Sequence, residues 1–278
     1  MEIVKPSVEL WKQEDSIRHI ARCARVCYAS ENNTNDAALC NALWRKRHRS
    51  MFRHAGVYYI IPRRVFQAHI INKKAFIPSI VKLVEEEYYI STNEQCAKEY
   101  WDELFRKWRI SIYSAMEDSN FIKNKMIRVT LCLNTSIAIS REYNRKSPNN
   151  IAEQSTRYVD FIKKVGIKFS HCHWMPNCGT YRTILYKLML KTTELFYKIA
   201  RSKYGLNLKP EDARFILPLD TNSKIVYTYT IAEWEYIINM RLWDYTGKAH
   251  PDAKILAQKI YDVLCNAGFK IDYYSHYN

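Results

Sequence analysis

Residues 223–231 read SKIVYTYTI, and apolar or aromatic side chains alternate there with polar ones. Side chains spaced by two residues fall on one face of a β-strand, so this stretch predicts a strand. Two further segments are rich in β-branched or aromatic residues, namely MIRVTLCL at 126–133 and HAGVYYIIP at 54–62, which Pro62 closes. Because helical patterns separate these strands, the chain is expected to adopt an α/β fold.

The other periodic segments predict helices. Asp15 or Ser16 can cap a helix that runs to about Ala29, and Pro148 disfavours helix just before it, so a short helix should end near Arg145. The remaining predicted helices cover 36–47, 180–204 before Gly205, a segment starting at 210, 232–243 and 251–267, and 63–128 is expected to be a mostly helical insertion. Because repeats and Gly/Ser linkers are lacking, residues 1–278 are expected to form one domain.

The composition is strongly basic. The 278 residues include 43 Lys and Arg against 28 Asp and Glu, a formal net charge of +15. This balance favours polyanionic partners, which include nucleic acid, anionic membranes and phosphorylated small molecules. The chain has no apolar N-terminal segment and no apolar run of 18 residues, so we expect a cytoplasmic protein that does not span a membrane.

The cysteines indicate a reducing compartment. Eight of them are scattered along the chain, and Cys23 and Cys27, four residues apart on a predicted helix, are interpreted as core residues. The run HCH at 171–173, with Cys178 nearby, contains residue types that bind zinc. Since no second well-spaced ligand pair accompanies this run, no metal site is expected.

The richest candidate site is SREYNRKSPNNIAEQSTRYVDF at 140–161. Arg145, Lys146 and Arg157 flank a turn rich in Asn and Ser. Arginine binds phosphate through a planar fork, and hydroxyls and turn amides add donors. Glu142 and Glu153 can accept hydrogen bonds from a sugar or a base. The alternative interpretation is a charged loop on the surface.

Three other basic segments are weaker candidates. Arg214 lies in PEDARFILP and Arg241 in IINMRLWDY, where each arginine either extends to solvent or is partly buried against an anion. The segment WRKRHRSMFRHAG at 44–56 interleaves Trp44 and Phe52 with cations, a pattern found on nucleic-acid-binding surfaces. A solvated helix end explains that pattern more simply, so nucleic acid is not the expected partner.

In their order along the chain, these pieces resemble the flavin-dependent thymidylate synthases. IARCARVCYAS followed by HRSMFRHAGVYYI is similar to the N-terminal helix and strand of that family, with His54 on the family histidine. SREYNRKSPNNIAEQSTRY aligns without a gap to the signature Arg-His-Arg-x-x-Ser-x-Asn-x-x-Ser-x-Arg. EDARFILP, followed by Arg241, is similar to the arginine motifs of the C-terminal half. The resemblance covers most of the chain outside 63–128.

The resemblance implies a central, mainly antiparallel sheet flanked by helices, and methylation of dUMP at C5 to give dTMP. Methylenetetrahydrofolate would supply the methylene group, reduced FAD would supply the hydride, and NADPH would reduce the flavin. The family also implies a homotetramer in which sites are shared between subunits.

The same resemblance assigns residues to the site. Arg214 and Arg241 would contact the pyrimidine or its sugar, and would act in catalysis by stabilising negative charge that develops on the ring. Ser155 and Arg157 would bind the phosphate. The nucleotide set is completed by Glu142, Arg145, Glu153, Gln154, Arg214 and Arg241. The flavin set is His54, Arg145, Lys146, Ser147 and Asn150.

The departures from the family pattern concentrate in the flavin half. The positions concerned are Lys146 and Ser147 in Arg-His-Arg, Asn150 and Ala152 at the signature Ser and Asn, and Thr230, Ala232 and Tyr236 in the C-terminal half. Three hypotheses stay open. The chain is a divergent flavin-dependent thymidylate synthase, a relative that binds a pyrimidine nucleotide with altered or lost flavin chemistry, or a basic nucleic-acid-binding protein.

Overall fold

The computed structural model describes residues 1–145 and 150–274, and these form a mixed α/β fold with helices around antiparallel sheets. The strands are β1 (Glu2–Val4), β2 (Ser7–Trp11), β3 (Gly56–Pro62), β4 (Ile80–Val84), β5 (Glu87–Asn93), β6 (Arg109–Ile110), β7 (Arg128–Ser136), β8 (Ile151–Glu153), β9 (Lys168–Ser170) and β10 (Asn222–Thr230). The expected fold class, with antiparallel sheets flanked by helices, is confirmed.

The α-helices vary widely in length. They are α1 (Ser16–Val26), α2 (Asp36–Arg45), α3 (Arg63–Gln67), α4 (Glu94–Cys96), α5 (Asp102–Phe105), α6 (Ile112–Glu117), α7 (Ser119–Lys123), α8 (Ile137–Tyr143), α9 (Thr180–Arg201), α10 (Pro210–Ala213), α11 (Ile231–Arg241) and α12 (Pro251–Asn266). Among the residues that the structure describes, no helix is both long and apolar enough to cross a membrane.

The central sheet has the strand order β2-β7-β10-β8, and every neighbouring pair is antiparallel. β7 and β10 pair along nine residues, with Val226 opposite Cys132 at the middle of the ladder. Both strands are almost wholly buried, because α11 and α12 pack on one face and α1 contacts the other. The strands predicted at 126–133 and 223–231 are therefore confirmed as the two central strands.

A second sheet, with the order β4-β5-β3-β6, corrects the expected helical insertion. β4 and β5 form a hairpin within 63–128, and Glu85 in its two-residue turn has φ 52. β-Branched and aromatic side chains, including Ile90, fit a half-buried pleated surface better than a helix. Residues 94–117 of the expected insertion form short α, π and 3-10 helices and the strand β6, and no long helix.

The longer predicted helices are confirmed, with shifted ends. The Asp15 side chain accepts a hydrogen bond from the Arg18 amide at 2.8 Å, which caps α1 as expected. α9 ends at Arg201, before the predicted end at 204, because residues 202–205 turn back. A Cβ on Gly205 would lie 2.1 Å from the Ile199 carbonyl oxygen, so only glycine fits this turn.

Four further short strands, outside the expected insertion, were not predicted. β1 pairs with β9 in parallel, with Ile3 opposite Phe169, and this pair forms a separate two-stranded sheet. β2 and β8 are the edges of the central sheet. Strands of three to five residues give too few alternations to stand out from a loop.

The main core lies between the central sheet, α11 and α12. Trp234 is fully buried there and its indole N–H donates to the Val129 carbonyl at 3.1 Å, which fixes α11 on β7. The Tyr227 hydroxyl donates to Asn144 Oδ1 at 2.6 Å, just beyond the end of α8. The central strand β10 thereby fixes the position of the segment that holds most of the predicted site residues.

Candidate functional site

A cavity of about 660 Å³ opens between α8, the residues that follow β8, and the turn that begins at Arg214. We refer to it as the α8–β8 cavity. Its lining comprises Ile137, Ser140, Arg141, Asn144, Glu153, Gln154, Ser155, Thr156, Arg214, Phe215, Leu217 and Leu219. Two guanidinium groups, three hydroxyls, two amides and one carboxyl group therefore meet in a space large enough for a nucleotide.

The central sheet builds two walls of this cavity. β7 runs directly into α8, where the Ser136 hydroxyl caps the helix by accepting from the Ile139 amide at 3.2 Å. β8 pairs with β10 so that Glu153 lies opposite Ile225. The two walls are joined by the Ser140 hydroxyl, which donates to Glu153 Oε1 at 2.9 Å.

Glu153 is a largely buried carboxyl group within the cavity wall. Burial raises the pKa of Glu153, and the hydrogen bond from Ser140 acts in the opposite direction. A carboxyl group in this position can accept from a sugar hydroxyl, or donate when protonated.

Ser155 has the geometry of a turn that presents a hydroxyl. Its Oγ accepts from the Arg157 amide at 3.1 Å and from the Tyr158 amide at 3.3 Å, which leaves the hydroxyl proton to donate. Its own amide donates to the Cys27 carbonyl at 3.0 Å, so the end of α1 supports the turn. A phosphate oxygen is a suitable acceptor for such a proton.

Arg157 and Arg214 come from distant parts of the sequence and are linked by one ion pair. Arg157 Nε donates to Glu211 Oε2 at 3.0 Å, and Glu211 lies in α10, which leads directly into Arg214. The Arg214 guanidinium lies 5.5 Å from the centre of the Phe215 ring and lines the cavity. Arg157 is exposed and does not line the cavity.

Arg241 is held outside the α8–β8 cavity by Glu142. Its Nη2 donates to the Glu142 carbonyl at 2.7 Å, and its Nη1 lies 3.4 Å from Glu142 Oε2. Only 14% of the Arg241 side chain is exposed. Arg145 is exposed just beyond the end of α8. The structure therefore brings Glu153, Gln154, Ser155 and Arg214 together, and leaves the other nucleotide residues around them.

Two of the flavin residues implied by the resemblance, His54 and Asn150, lie together beside Thr228. His54 is fully buried, and its Nδ1 lies 2.9 Å from Thr228 Oγ1. Asn150 is also buried and donates to the Thr228 carbonyl at 2.9 Å. Lys146 and Ser147 lie outside the described residues.

The residue at one substituted family position has a local structural role. Thr230 caps α11 through a reciprocal pair of hydrogen bonds with Glu233. Its hydroxyl is thus occupied within the helix terminus. The side chains of His54, Asn150 and Thr230 are therefore buried, and each makes a hydrogen bond within this protomer.

Four polar residues that line the cavity were not assigned to the site from the sequence, namely Ser140, Arg141, Asn144 and Thr156. Arg141 is the cation on α8, and Thr156 adds a hydroxyl next to Ser155. Arg141 lies four residues before Arg145, so helical spacing offered a signal for its position. Thr156 offered no signal beyond its place beside Ser155.

The two aromatic residues of the basic segment at 44–56 pack against each other and into the protein. Phe52 is only 2% exposed, and its ring packs edge-on against Trp44 with 4.9 Å between centroids. Arg49 is paired with Glu99 at 3.1 Å. Since its aromatic rings pack into a core cluster, this segment does not offer them for stacking with bases.

A larger cavity of about 930 Å³ lies elsewhere, between β2, α6 and the end of α12. Its lining is mainly apolar and includes Trp11, Tyr113 and Phe269. None of the site residues predicted from the sequence lines it. Lys12 and Arg128 are among its polar lining residues, whereas Ser155 and Arg214 line the smaller α8–β8 cavity.

Fold and cavity together define an α/β protein with a candidate site for a small phosphorylated ligand. Residues 111–267 match the family model described as thymidylate synthase complementing protein (Thy1). Because the match spans more than half of the chain, the chain belongs to this family. It includes all the predicted nucleotide residues, whereas His54 lies outside it.

Solved structures with a similar chain path include the UMP/dUMP methylase PolB from Streptomyces cacaoi. The form bound with 5-Br UMP has 14% sequence identity and a TM-score of 0.47, covering 96% of this chain and 92% of that one. The form bound with 5-Br dUMP has 16% identity and a TM-score of 0.45, covering 96% and 93%. A search of curated proteins finds no match.

The buried histidines predict a stability that depends on pH. Burial lowers the pKa of His54 to about 3 and that of His19 to about 4, from an ordinary value of 6.5. The unfolded chain therefore binds more protons below pH 6.5, so the stabilisation is complete above that pH and is lost as the pH falls toward the folded-state values.

We expect the free energy of unfolding to fall by about 1.4 kcal/mol per pH unit for each buried histidine below about pH 6.5. His54→Asn keeps a polar group beside Thr228. This variant should reduce the dependence of the free energy of unfolding on pH by the contribution of one histidine. Urea denaturation between about pH 7 and 5 measures it. His69→Asn, at an exposed site, is the control, and an unchanged slope in the His54 variant would contradict the assignment.

Proposed function

We propose that this chain binds a pyrimidine nucleoside monophosphate in the α8–β8 cavity and methylates its base at C5. The specific reaction that the family resemblance implies is dUMP to dTMP, with methylenetetrahydrofolate as the carbon donor and reduced FAD as the hydride donor. The observation that carries the proposal is the convergence of Ser155 and Arg214 in one cavity of a Thy1-family chain.

The phosphate would be bound by groups at one side of the cavity. The Ser155 hydroxyl has a proton to donate, and Thr156 and Arg141 add further donors. Charge-assisted bonds from arginine to phosphate are stronger than neutral ones. Arg157 supports this arrangement through Glu211, which holds α10 near the Ser155 turn.

The base and sugar would lie toward Glu153 and Asn144. Methylation at C5 passes through a ring that carries increased negative charge, and a nearby cation stabilises that charge. Arg214 lines the cavity and is suited to this role. Arg241 is held by Glu142, so we propose that it positions the end of α8 until substrate competes for its guanidinium group.

A second candidate is a relative that binds a pyrimidine nucleotide but has altered or lost flavin chemistry. The inward orientation of His54 and Asn150 and the capping role of Thr230 favour it. If the flavin is retained, it supplies a hydride and NADPH re-reduces it.

All eight cysteines are unpaired, which is consistent with our proposal of a cytoplasmic location.

Arg214→Met tests the nucleotide site. The loss of a charge-assisted contact should weaken dUMP binding by about 10-fold or more, as measured by isothermal titration calorimetry. Lys259→Met removes one charge from an exposed position on α12 and should leave the affinity unchanged. Equal weakening in both variants would indicate a general charge effect, and no dUMP binding by the unaltered protein would overturn the proposal.

A flavin titration separates the two candidates. We expect FAD to bind more tightly when dUMP is present, because the resemblance assigns Arg145 to contacts with both ligands. Visible absorbance of FAD, recorded with and without dUMP, measures this binding, and Arg145→Met should reduce the enhancement. Failure to bind FAD under either condition would exclude the flavin-dependent reaction and leave the second candidate.

We further propose that α9 mediates the homo-oligomer that the family implies. One face of this helix packs into the core through Leu190, Tyr197 and Ala200. The opposite face exposes a continuous apolar stripe of Tyr181, Ile184, Leu185, Leu188, Met189, Leu195, Phe196 and Ile199. A helix that is apolar on both faces is normally covered on both, and a second copy of the same helix has a matching surface.

Leu188→Glu combined with Phe196→Glu should dissociate the oligomer, because each places a charge in the apolar stripe. Both side chains are more than half exposed in one protomer, at 58% and 56%, so the fold of the protomer should survive. Size-exclusion chromatography with light scattering measures the mass. Ile70→Glu, at a fully exposed site away from α9, is the control, and a mass unchanged in the double variant would contradict this interface.

A further inference from the structure

Three potential metal ligands meet between the loop after β9 and the start of α12. His173 belongs to the loop, and His250 and Asp252 flank the first residue of the helix. His173 Nδ1 lies 3.1 Å from Asp252 Oδ2, and His250 Nδ1 lies 3.8 Å from the same oxygen. One ligand atom from each side chain can be chosen so that all three lie within 4.8 Å of one another.

Backbone hydrogen bonds orient this cluster before any ion binds. The His173 amide donates to Asp252 Oδ1 at 2.6 Å, which leaves Oδ2 directed at the imidazoles. His250 is the N-cap of α12, and its Nδ1 accepts from the Asp252 amide at 3.2 Å. The two imidazole rings meet nearly at right angles with 5.4 Å between centroids.

The ligand types select the class of ion. Two imidazoles and one carboxylate suit zinc and neighbouring transition metals, whereas calcium and magnesium prefer all-oxygen sites. Tetrahedral zinc with three protein ligands keeps a fourth position for water or another ligand. His250 and Asp252 also line a cavity of about 260 Å³ that includes Glu142, His171 and Asp220, and this cavity can hold that fourth ligand.

We propose that His173, His250 and Asp252 form a binding site for a divalent transition-metal ion of the zinc class. This differs from the expectation of no metal site, which was based on the run at 171–173 and Cys178. Cys178 is not part of the cluster, since its Sγ lies 3.1 Å from Thr183 Oγ1. The second pair of ligands, His250 and Asp252, comes from the start of α12. Asp252 lies 79 residues beyond His173 in the sequence.

An ion at this site would join two parts of the molecule. α12 packs against α11 and β2, whereas the loop that contains His173 leads into α9. The ion would therefore tie the start of α9 to the helical layer on the central sheet. Metal binding should raise the thermal stability, because an ion that binds only the folded chain shifts the folding equilibrium.

Titration of the metal-free full-length protein with Zn²⁺ by isothermal titration calorimetry tests the site. Loss of a group that only hydrogen-bonds to a metal ligand typically costs about 10–100-fold in metal affinity. Loss of a ligand itself should cost at least as much, so His173→Ala, His250→Asn and Asp252→Asn should each weaken Zn²⁺ binding by at least about 10-fold. The His250→Asn variant keeps a side-chain acceptor that caps α12, and the Asp252→Asn variant keeps an acceptor for the His173 amide. These two variants should therefore lose a ligand without unfolding, and circular dichroism checks that they remain folded.

His171→Ala is the matched control, because His171 lines the adjacent cavity without belonging to the cluster. Its Zn²⁺ affinity should equal that of the unaltered protein. Co²⁺ substitution should give visible absorption bands of a tetrahedral site that disappear in the three ligand variants. A stoichiometry below one ion per chain, or an affinity that all folded variants retain, would overturn the proposal and indicate adventitious binding to other histidines.

Discussion

The antiparallel ladder between β7 and β10 is the constraint on which the rest of the structure depends. Most residues of its nine pairs are buried, so their backbone groups must bond to one another. α8 follows directly from one strand and α11 from the other. β8 adds to the outer edge of β10, and the α8–β8 cavity opens where these connections meet. A shift in the register of this ladder would move both walls of the cavity.

Neutralisation of charge around the cavity explains which arginines remain available for a ligand. The formal net charge is +15, yet Arg157 is paired with Glu211 and Arg241 with Glu142. These two pairs fix the segments that border the cavity, and they leave Arg141 and Arg214 at its lining. Some of the arginines near the cavity are therefore paired with glutamates and stabilise its borders, whereas others line the cavity itself.

The sequence predicted the central strands and the long helices, because their periodicity extends over many residues. It failed for 63–128, where Ile90 and its neighbours form a strand although the surrounding charges suggested helix. The convergence of Ser155 and Arg214 was predicted through the family resemblance and not through spacing. His54 shows the limit of that approach, since residue identity at a family position does not reveal that its side chain points into the core.

Asn144, just beyond the end of α8, and Asn150, just before β8, are both anchored to β10. Asn144 accepts from the Tyr227 hydroxyl, and Asn150 donates to the carbonyl of the next residue, Thr228. The end of α8 and the start of β8 are thus bonded to adjacent residues of the same central strand. The sheet itself therefore sets the distance between these two walls of the cavity.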